Sequence, residues 1–392
     1  MKGGWVSMLK IQKCVGFFAI FFLMIILPFP TGAQVKDDAV RIGLHGPFTG
    51  PVAYSGELMK KGFLLAVEEI NTAGGIKIAG RMLKIKPFAE DDRGAPAEGV
   101  AVTEKLITRD QVHAMVGPFN SSVGLAVAEL TDRYKVVRVV PIAVADAITT
   151  GHPWVFRNCP NQTMQTVQNA EYVMKQGKWK KFALLLENTD YGRGGGETWS
   201  KVVKGKGAEV LAMEYFNLGD TDFSTQLTKI KAKDPDGIFL VGLITEGAQI
   251  LRQARQLGMK QQFFGLGGFA SDKFIQLAGP AAEGLINNSY WEPNPKIPKS
   301  IAFKENFEKF SKMEAEMFSA ATYDAVYILK EAFEKAGALG TDAESKEALR
   351  KAMHKVDYVG VQGRTTFDSE GQATLHVYIV QVKDGKRRII GP

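Results

Sequence analysis

Cysteine is almost missing from this chain: among 392 residues only Cys14 and Cys159 carry a thiol. A lone thiol in the main body excludes an internal disulfide framework, so the fold must be held by its core. Cys14 follows Gln12 and Lys13 rather than the small residues that precede a lipidated cysteine, which argues against a lipid anchor. A nucleophilic Cys159 would need a histidine and an orienting partner, and nothing in the sequence nominates them, so it reads as packed and inert. The five histidines, His45, His113, His152, His354 and His376, are scattered without metal-ligand spacing. Low-complexity tracts are lacking, which removes disorder as a default. No apolar run beyond residue 29 is long enough to cross a membrane.

Enzyme motifs are lacking as well. No phosphate-binding Gly-Lys-Ser/Thr loop occurs. Gly192-Arg193-Gly194-Gly195-Gly196 opens a helix, but Glu197 stands where the dinucleotide fingerprint requires glycine. Asn120-Ser121-Ser122-Val123-Gly124 lacks the nucleophile-elbow pattern. No cofactor and no metal are expected, and the chain is not read as an enzyme. The cluster Glu90-Asp91-Asp92 reads as a solvated loop at a strand end.

What is present is an ordinary globular composition, 45% hydrophobic and 23% charged, with a net charge of +7. Lys2, Lys10 and Lys13 supply three of those charges before the first acid, Asp37. Later lysines alternate with acids, as in Lys229-Ile230-Lys231-Ala232-Lys233-Asp234, which is a solvated surface and excludes a phosphate-tracking stripe for nucleic acid. The basic start, the apolar stretch over 15–29 and Pro30-Thr31-Gly32-Ala33 together form a signal peptide, 1–33, with cleavage expected after Ala33 and a periplasmic destination. An uncleaved anchor is the alternative, though the run is short for a span.

The remaining length suits two α/β units rather than one core. Strands are expected over 40–44, 83–88, 112–116 and 136–140. Helices intervene: one with Met59, Phe63, Ala66 and Ile70 on one face stopped by Gly74-Gly75, then 95–109 and 122–133. Strand, helix and strand at this spacing mean βαβ units and a parallel sheet. The rhythm restarts after Pro160, with strands over 181–187, 209–215, 237–242 and 262–266 and helices between them. The tail has a strand over 285–291, helices over 300–313, 318–337 and 343–355, and a ribbon turning at Asp384-Gly385. A tail without a sheet of its own returns to complete the earlier units, which makes a hinged molecule with several chain crossings.

In open parallel sheets ligands sit beyond the carboxyl ends of the strands, near helix N-termini. The loops there contain Tyr54, Ser121-Ser122, Ile142-Ala143-Val144, Tyr191, Leu243-Ile244-Thr245-Glu246 and Gly267-Gly268-Phe269. Ser121-Ser122 opens a helix, so a hydroxyl and free N–H groups suit a carboxylate. The plainer reading makes Asn120, Ser121 or Ser122 a helix cap. For Tyr54 and Tyr191 it is packing, and for Ile142–Val144 an ordinary strand end.

At these loops the sequence resembles the leucine/isoleucine/valine-binding protein family, the type I periplasmic binding proteins of ABC importers. The likeness runs from about Val40 to about Phe367. It rests on Glu69-Ile70-Asn71 with Gly74-Gly75-Ile76, Asp91-Asp92, Val116-Gly117, Ser121-Ser122, Pro141, Phe156-Arg157, Asp190-Tyr191-Gly192 and the stretch 247–255. The resemblance implies two Rossmann-like lobes joined by three crossovers: 34–160 with 289–357, and 161–288 with 358–392. It implies a monomer that captures a small organic ligand in the cleft and delivers it to permease subunits; a ligand-sensing receptor on the same fold is the alternative, and a Rossmann-like enzyme a distant one. Tyr54, Ser121, the backbone of Ile142, Ala143 and Val144, and Tyr191 fall at ligand positions of the family, with the serine and the loop after Pro141 on an α-carboxylate. Leu243, Gly267 and Phe318 fall at further ligand-contacting positions. Leu243 stands where leucine binders carry an aromatic, Gly267 where they carry the acid that grips the ammonium, and Gly94 and Asn120 where some members form a disulfide. Asp190, Glu246 or Asp146 are candidates to replace that acid. Without them the pocket suits a hydrophobic or aromatic carboxylate as well as an amino acid.

Overall fold

The computed structural model describes Met1 and residues 37–391; the expected signal segment and Cys14 lie outside the described residues. The chain opens with β1 (Val40–Gly46), α1 (Ala53–Thr72), a small ribbon of β2 (Ile76–Ile78) and β3 (Arg81–Leu83), and β4 (Ile85–Asp91). It continues through α2 (Pro96–Thr108), β5 (Ala114–Val116), α3 (Ser121–Tyr134), β6 (Val137–Val140) and β7 (Val155–Arg157). Five of these strands form a parallel sheet of order β4-β1-β5-β6-β7. Strands β5 and β6 are buried along their whole length, as a sheet covered on both faces demands.

The second half runs α4 (Gln162–Lys175), β8 (Lys181–Glu187), α5 (Asp190–Gly205), β9 (Glu209–Phe216), α6 (Ser224–Ala232), β10 (Gly237–Val241), α7 (Ile244–Gln256), β11 (Gln262–Gly265), α8 (Asp272–Ala278) and β12 (Ile286–Ser289). Then come α9 (Pro298–Ser311), α10 (Met317–Ala336), α11 (Ala343–Met353), the short pair β13 (Tyr358–Val359) and β14 (Arg364–Thr365), and the final ribbon β15 (Tyr378–Lys383) and β16 (Lys386–Gly391). The second sheet has the order β16-β15-β12-β11-β10-β8-β9, parallel except where the closing ribbon joins it antiparallel. Trp199 anchors its core: the indole stacks on Phe239 at 4.5 Å and meets the edge of Phe182 at 4.8 Å, while its N–H donates to Asn169 Oδ1 (3.0 Å).

The molecule is thus two α/β lobes built on a chain that changes lobe three times, after β7, after β12 and before β15. Helix α10 returns to cover α1, and a Cβ at Gly62 would stand 2.3 Å from the Ser319 carbonyl oxygen, so only glycine allows this approach of two helix backbones. Two expectations are corrected. Residues 358–373, assigned with the second lobe, lie against the first: Gln372 bridges to Arg157, Phe367 packs edge-on against Phe156 at 5.3 Å, and Tyr358 donates to Asp324 of α10 (3.2 Å). Asp92, expected in a solvated loop, is buried, with His45 Nδ1 2.8 Å from its carboxylate and Arg138 on the far side of the imidazole.

Candidate functional site

The carboxyl ends of both sheets face a cleft with an enclosed volume of about 70 Å³. On the first lobe its wall begins where α3 starts. Asn120 is the N-cap residue, yet its side chain makes no capping bond, and its Oδ1 is buried without a partner. The first N–H groups of α3 are therefore left without a side-chain cap, on the positive end of a 14-residue helix. Ser121 Oγ accepts from the N–H of Val144 (3.2 Å) and of Ala145 (3.3 Å), which fixes the loop after β6 against the helix start. That loop is pinned from behind by Arg157, whose guanidinium donates to the carbonyls of Ala145 (2.7 Å), Asp146 (3.2 Å) and Ala143 (3.4 Å), to Thr149 Oγ1 (2.9 Å) and to Gln372 Oε1 (2.7 Å). Five acceptors satisfy the planar fork of donors, and this permits the full burial of the group.

The second lobe contributes Tyr191, Leu243 and Gly267. Tyr191 Oη accepts the N–H of Gly268 (3.1 Å), which holds the ring across the cleft; burial pushes its phenol up, so it stays neutral. At Gly267 an added Cβ would meet the Met317 methyl at 3.0 Å and Gln165 Oε1 at 3.5 Å. A side chain there would require the flexible end of Met317 to give way by a few tenths of an ångström. Phe318 lies edge-on to Phe119 at 5.0 Å, and both rings line the cleft.

Of the nine expected site residues, Ser121, Ile142, Val144, Tyr191, Leu243, Gly267 and Phe318 line this space. Tyr54 and Ala143 do not. The hydroxyl of Tyr54 donates to Glu316 (3.3 Å), and its ring lies in a separate depression beside Leu243. Ala143 turns its methyl into a cluster with Val140, Ile148 and Val155 behind the cleft wall. The Val144 N–H, expected to face the ligand, donates to Ser121 Oγ (3.2 Å).

None of the three candidate acids is in the cleft. Asp190 is exposed, Asp146 accepts from the Thr163 N–H (3.3 Å) and hydroxyl, and Glu246 is buried behind the wall, accepting from Gly219 N–H (2.8 Å). The acid that does line it is Glu187, the last residue of β8. Thr189 donates to Glu187 Oε1 (2.9 Å), whereas Oε2 is buried and unpartnered. Burial lifts the carboxyl to about 7; the Thr189 bond opposes this and nearby Glu246 adds to it. Tyr290 likewise lines the cleft with a buried, unpartnered hydroxyl. One signal marked Glu187 in the sequence: a single acid closing a seven-residue strand that is otherwise apolar after Lys181. Cys159 is buried, its thiol pushed up to about 12 by burial, against the pull of Arg157. Among the described residues no group of three or more His, Cys, Asp or Glu is placed to hold a metal ion.

A family profile described as periplasmic binding protein matches residues 39–387. The Leu/Ile/Val-binding protein BraC3 of Rhizobium johnstonii is 31% identical over 344 residues, covering 87% of this chain and 91% of that one. A branched-chain amino acid transporter substrate-binding protein from Streptococcus pneumoniae, solved in complex with isoleucine, is 30% identical with a TM-score of 0.81; the match covers 90% of this chain and all of that one. An ABC transporter solute-binding protein from R. palustris, solved with benzoate, shares the fold at 23% identity and a TM-score of 0.82, over 90% and 96% of the two chains.

Proposed function

The chain belongs to the leucine/isoleucine/valine-binding family of type I periplasmic binding proteins, and on that premise we propose that it closes on a small carboxylate at the start of α3 and hands it to the permease of an ABC importer. The observation that carries this reading is the uncapped first turn of α3, opening on a cleft whose walls come from both lobes. Free N–H groups at a helix N-terminus attract anions, and the apolar walls of Ile142, Leu243 and Phe318 suit a hydrophobic or aromatic body. That isoleucine and benzoate occupy relatives of this fold supports the same ligand class here. The protein acts by binding alone, as a monomer, and its lobes rotate about the three crossings.

Calorimetry on ligand-stripped protein with leucine, valine, benzoate and short fatty acids tests the ligand class. Small-angle scattering with the tightest of them is expected to show a smaller radius of gyration than without it. Tight binding of an uncharged solute in preference to every carboxylate would refute the ligand class, and tight binding with unchanged shape would refute the hinge.

The basic and apolar start of the sequence supports export with removal of residues 1–33, into the periplasm in a cell with two membranes. N-terminal sequencing of protein from its native host is expected to begin at or next to Gln34. A membrane-held chain beginning at Met1 would mean an anchor instead.

A further inference from the structure

To one side of the cleft the two lobes touch through acids. Glu316, the N-cap residue of α10 on the first lobe, is fully buried. Its Oε1 accepts from a donor of each lobe, Tyr54 of α1 (3.3 Å) and Ser271 just before α8 (2.7 Å), while its Oε2 is buried without a hydrogen-bond partner. Two residues earlier, the exposed Glu314 shares a hydrogen bond with Asp272, the first residue of α8 on the second lobe. Glu292, three residues beyond the end of β12, is buried beside them. One guanidinium stands among these four carboxyls. Arg387 of β16 lies 3.2 Å from Asp272 and 3.4 Å from Glu292, and it also donates to the Ala270 carbonyl (2.6 Å). The other charges bordering the cluster add little relief. Glu308 of α9 is a fifth acid, paired with Lys304 at 2.8 Å; Lys386 of β16 is exposed; and Lys273 of α8 lies in the depression on the Tyr54 side.

Two ionised carboxylates cannot hydrogen-bond to each other. The contact of Glu314 with Asp272 requires a proton on one of them, and without it the two charges repel across the lobe boundary. A buried glutamate that lacks a close cation favours its protonated form in the same way. We propose that Glu314, Glu316 and Asp272 form a proton-held clasp between the lobes, which keeps them in contact at this edge when protonated and lets them part when it ionises. The clasp uses the hinge and is independent of what the cleft binds.

The direction of the pH effect follows from the partners. The bond to Asp272 lifts the Glu314 carboxyl to about 7, and burial and the charges of Asp272, Glu316 and Glu308 add to it. Burial lifts Glu316 to about 7 as well, opposed by Arg387, Ser271 and Tyr54 and aided by Asp272. When the lobes part, both groups meet water and return towards the ordinary glutamate value of about 4.3. The contacted arrangement therefore keeps protons that the parted one releases. Its advantage is complete below about pH 4.3 and is lost as pH rises through about 7, by up to about tenfold in the ratio of the two arrangements per proton and pH unit.

The test measures lobe spacing in ligand-free protein with spin labels on Gln276→Cys of α8 and Glu305→Cys of α9, both exposed positions on opposite lobes. Cys159 is buried, and Cys14→Ser removes the other thiol. Between pH 5.5 and pH 8.5 the ratio of long to short label distances is expected to rise roughly tenfold or more. Glu314→Gln should weaken this response, because the amide can donate to Asp272 at any pH, and Glu314→Gln with Glu316→Gln should abolish it. Glu314 is exposed, so its single variant decides the matter even if the double variant does not fold. Spacing that ignores pH in the unaltered carboxyl set would overturn the clasp; if leucine or benzoate still shortened the distance, the hinge would stand without it. A pH response undiminished in Glu314→Gln would overturn the clasp too, and would assign the titration to another group such as Glu187.

Discussion

Arg157→Met is expected to cost about 3–5 kcal/mol of stability, the range for breaking a buried charged network. The methionine side chain is about as long as the arginine stem, so little packing is lost. What disappears is the donor set that serves three carbonyls, Thr149 and Gln372. Each buried acceptor left unpaired costs about 1–3 kcal/mol, and relief of the desolvation that pulls this guanidinium down offsets part of the sum. A loss of that size is a large share of the 5–15 kcal/mol or so that holds a typical protein folded. Urea denaturation measures it, and a change below about 1 kcal/mol would show that the network is dispensable. Arg157→Lys is expected to recover only part, because one ammonium cannot reach five acceptors arranged for a planar fork. Where either variant still folds, ligand affinity should fall too, since the pinned loop is the one that Ser121 holds.

Ser121→Ala should move two quantities at once. The hydroxyl oxygen accepts from the buried N–H groups of Val144 and Ala145, so its loss orphans both and lowers stability by about 1–3 kcal/mol. The same oxygen carries a hydrogen that is free to donate into the cleft, and a hydrogen bond to a carboxylate contributes about 1.5–3 kcal/mol. Affinity for the ligand should therefore drop roughly 10- to 150-fold. Melting and calorimetry on one preparation separate the two effects. A lower melting temperature with unchanged affinity would make Ser121 a brace for the loop and nothing more.

The alternation of apolar strands and amphipathic helices is a local property, and β1, α1 and the strands from β8 to β11 follow it closely. Elements fixed by distant neighbours were not legible. Strand β7 is three residues long and exists because β6 offers it an edge; α8 spans seven residues, too few for a helical period to show. The site divides along the same line. Ser121, Tyr191 and Leu243 sit at loops whose position follows from strand ends alone. Tyr54 was drawn away by Glu316, 262 positions along the chain, a pairing that no local pattern encodes. Glu187 escaped notice because its environment, and with it the meaning of its charge, is made by Thr189, Glu246 and a cleft wall assembled from both lobes.

The three lobe changes bear on the order in which the molecule comes into being. The first sheet is complete at Arg157, yet the helix that covers α1 begins only at Met317. The second sheet lacks its last two strands until residues 378–391 are made. Each lobe is therefore completed only by a later stretch of the chain, the first by α10 and the second by β15 and β16. A chain cut before residue 378 would leave the second sheet without its two closing strands, although the first sheet and its covering helix were already present.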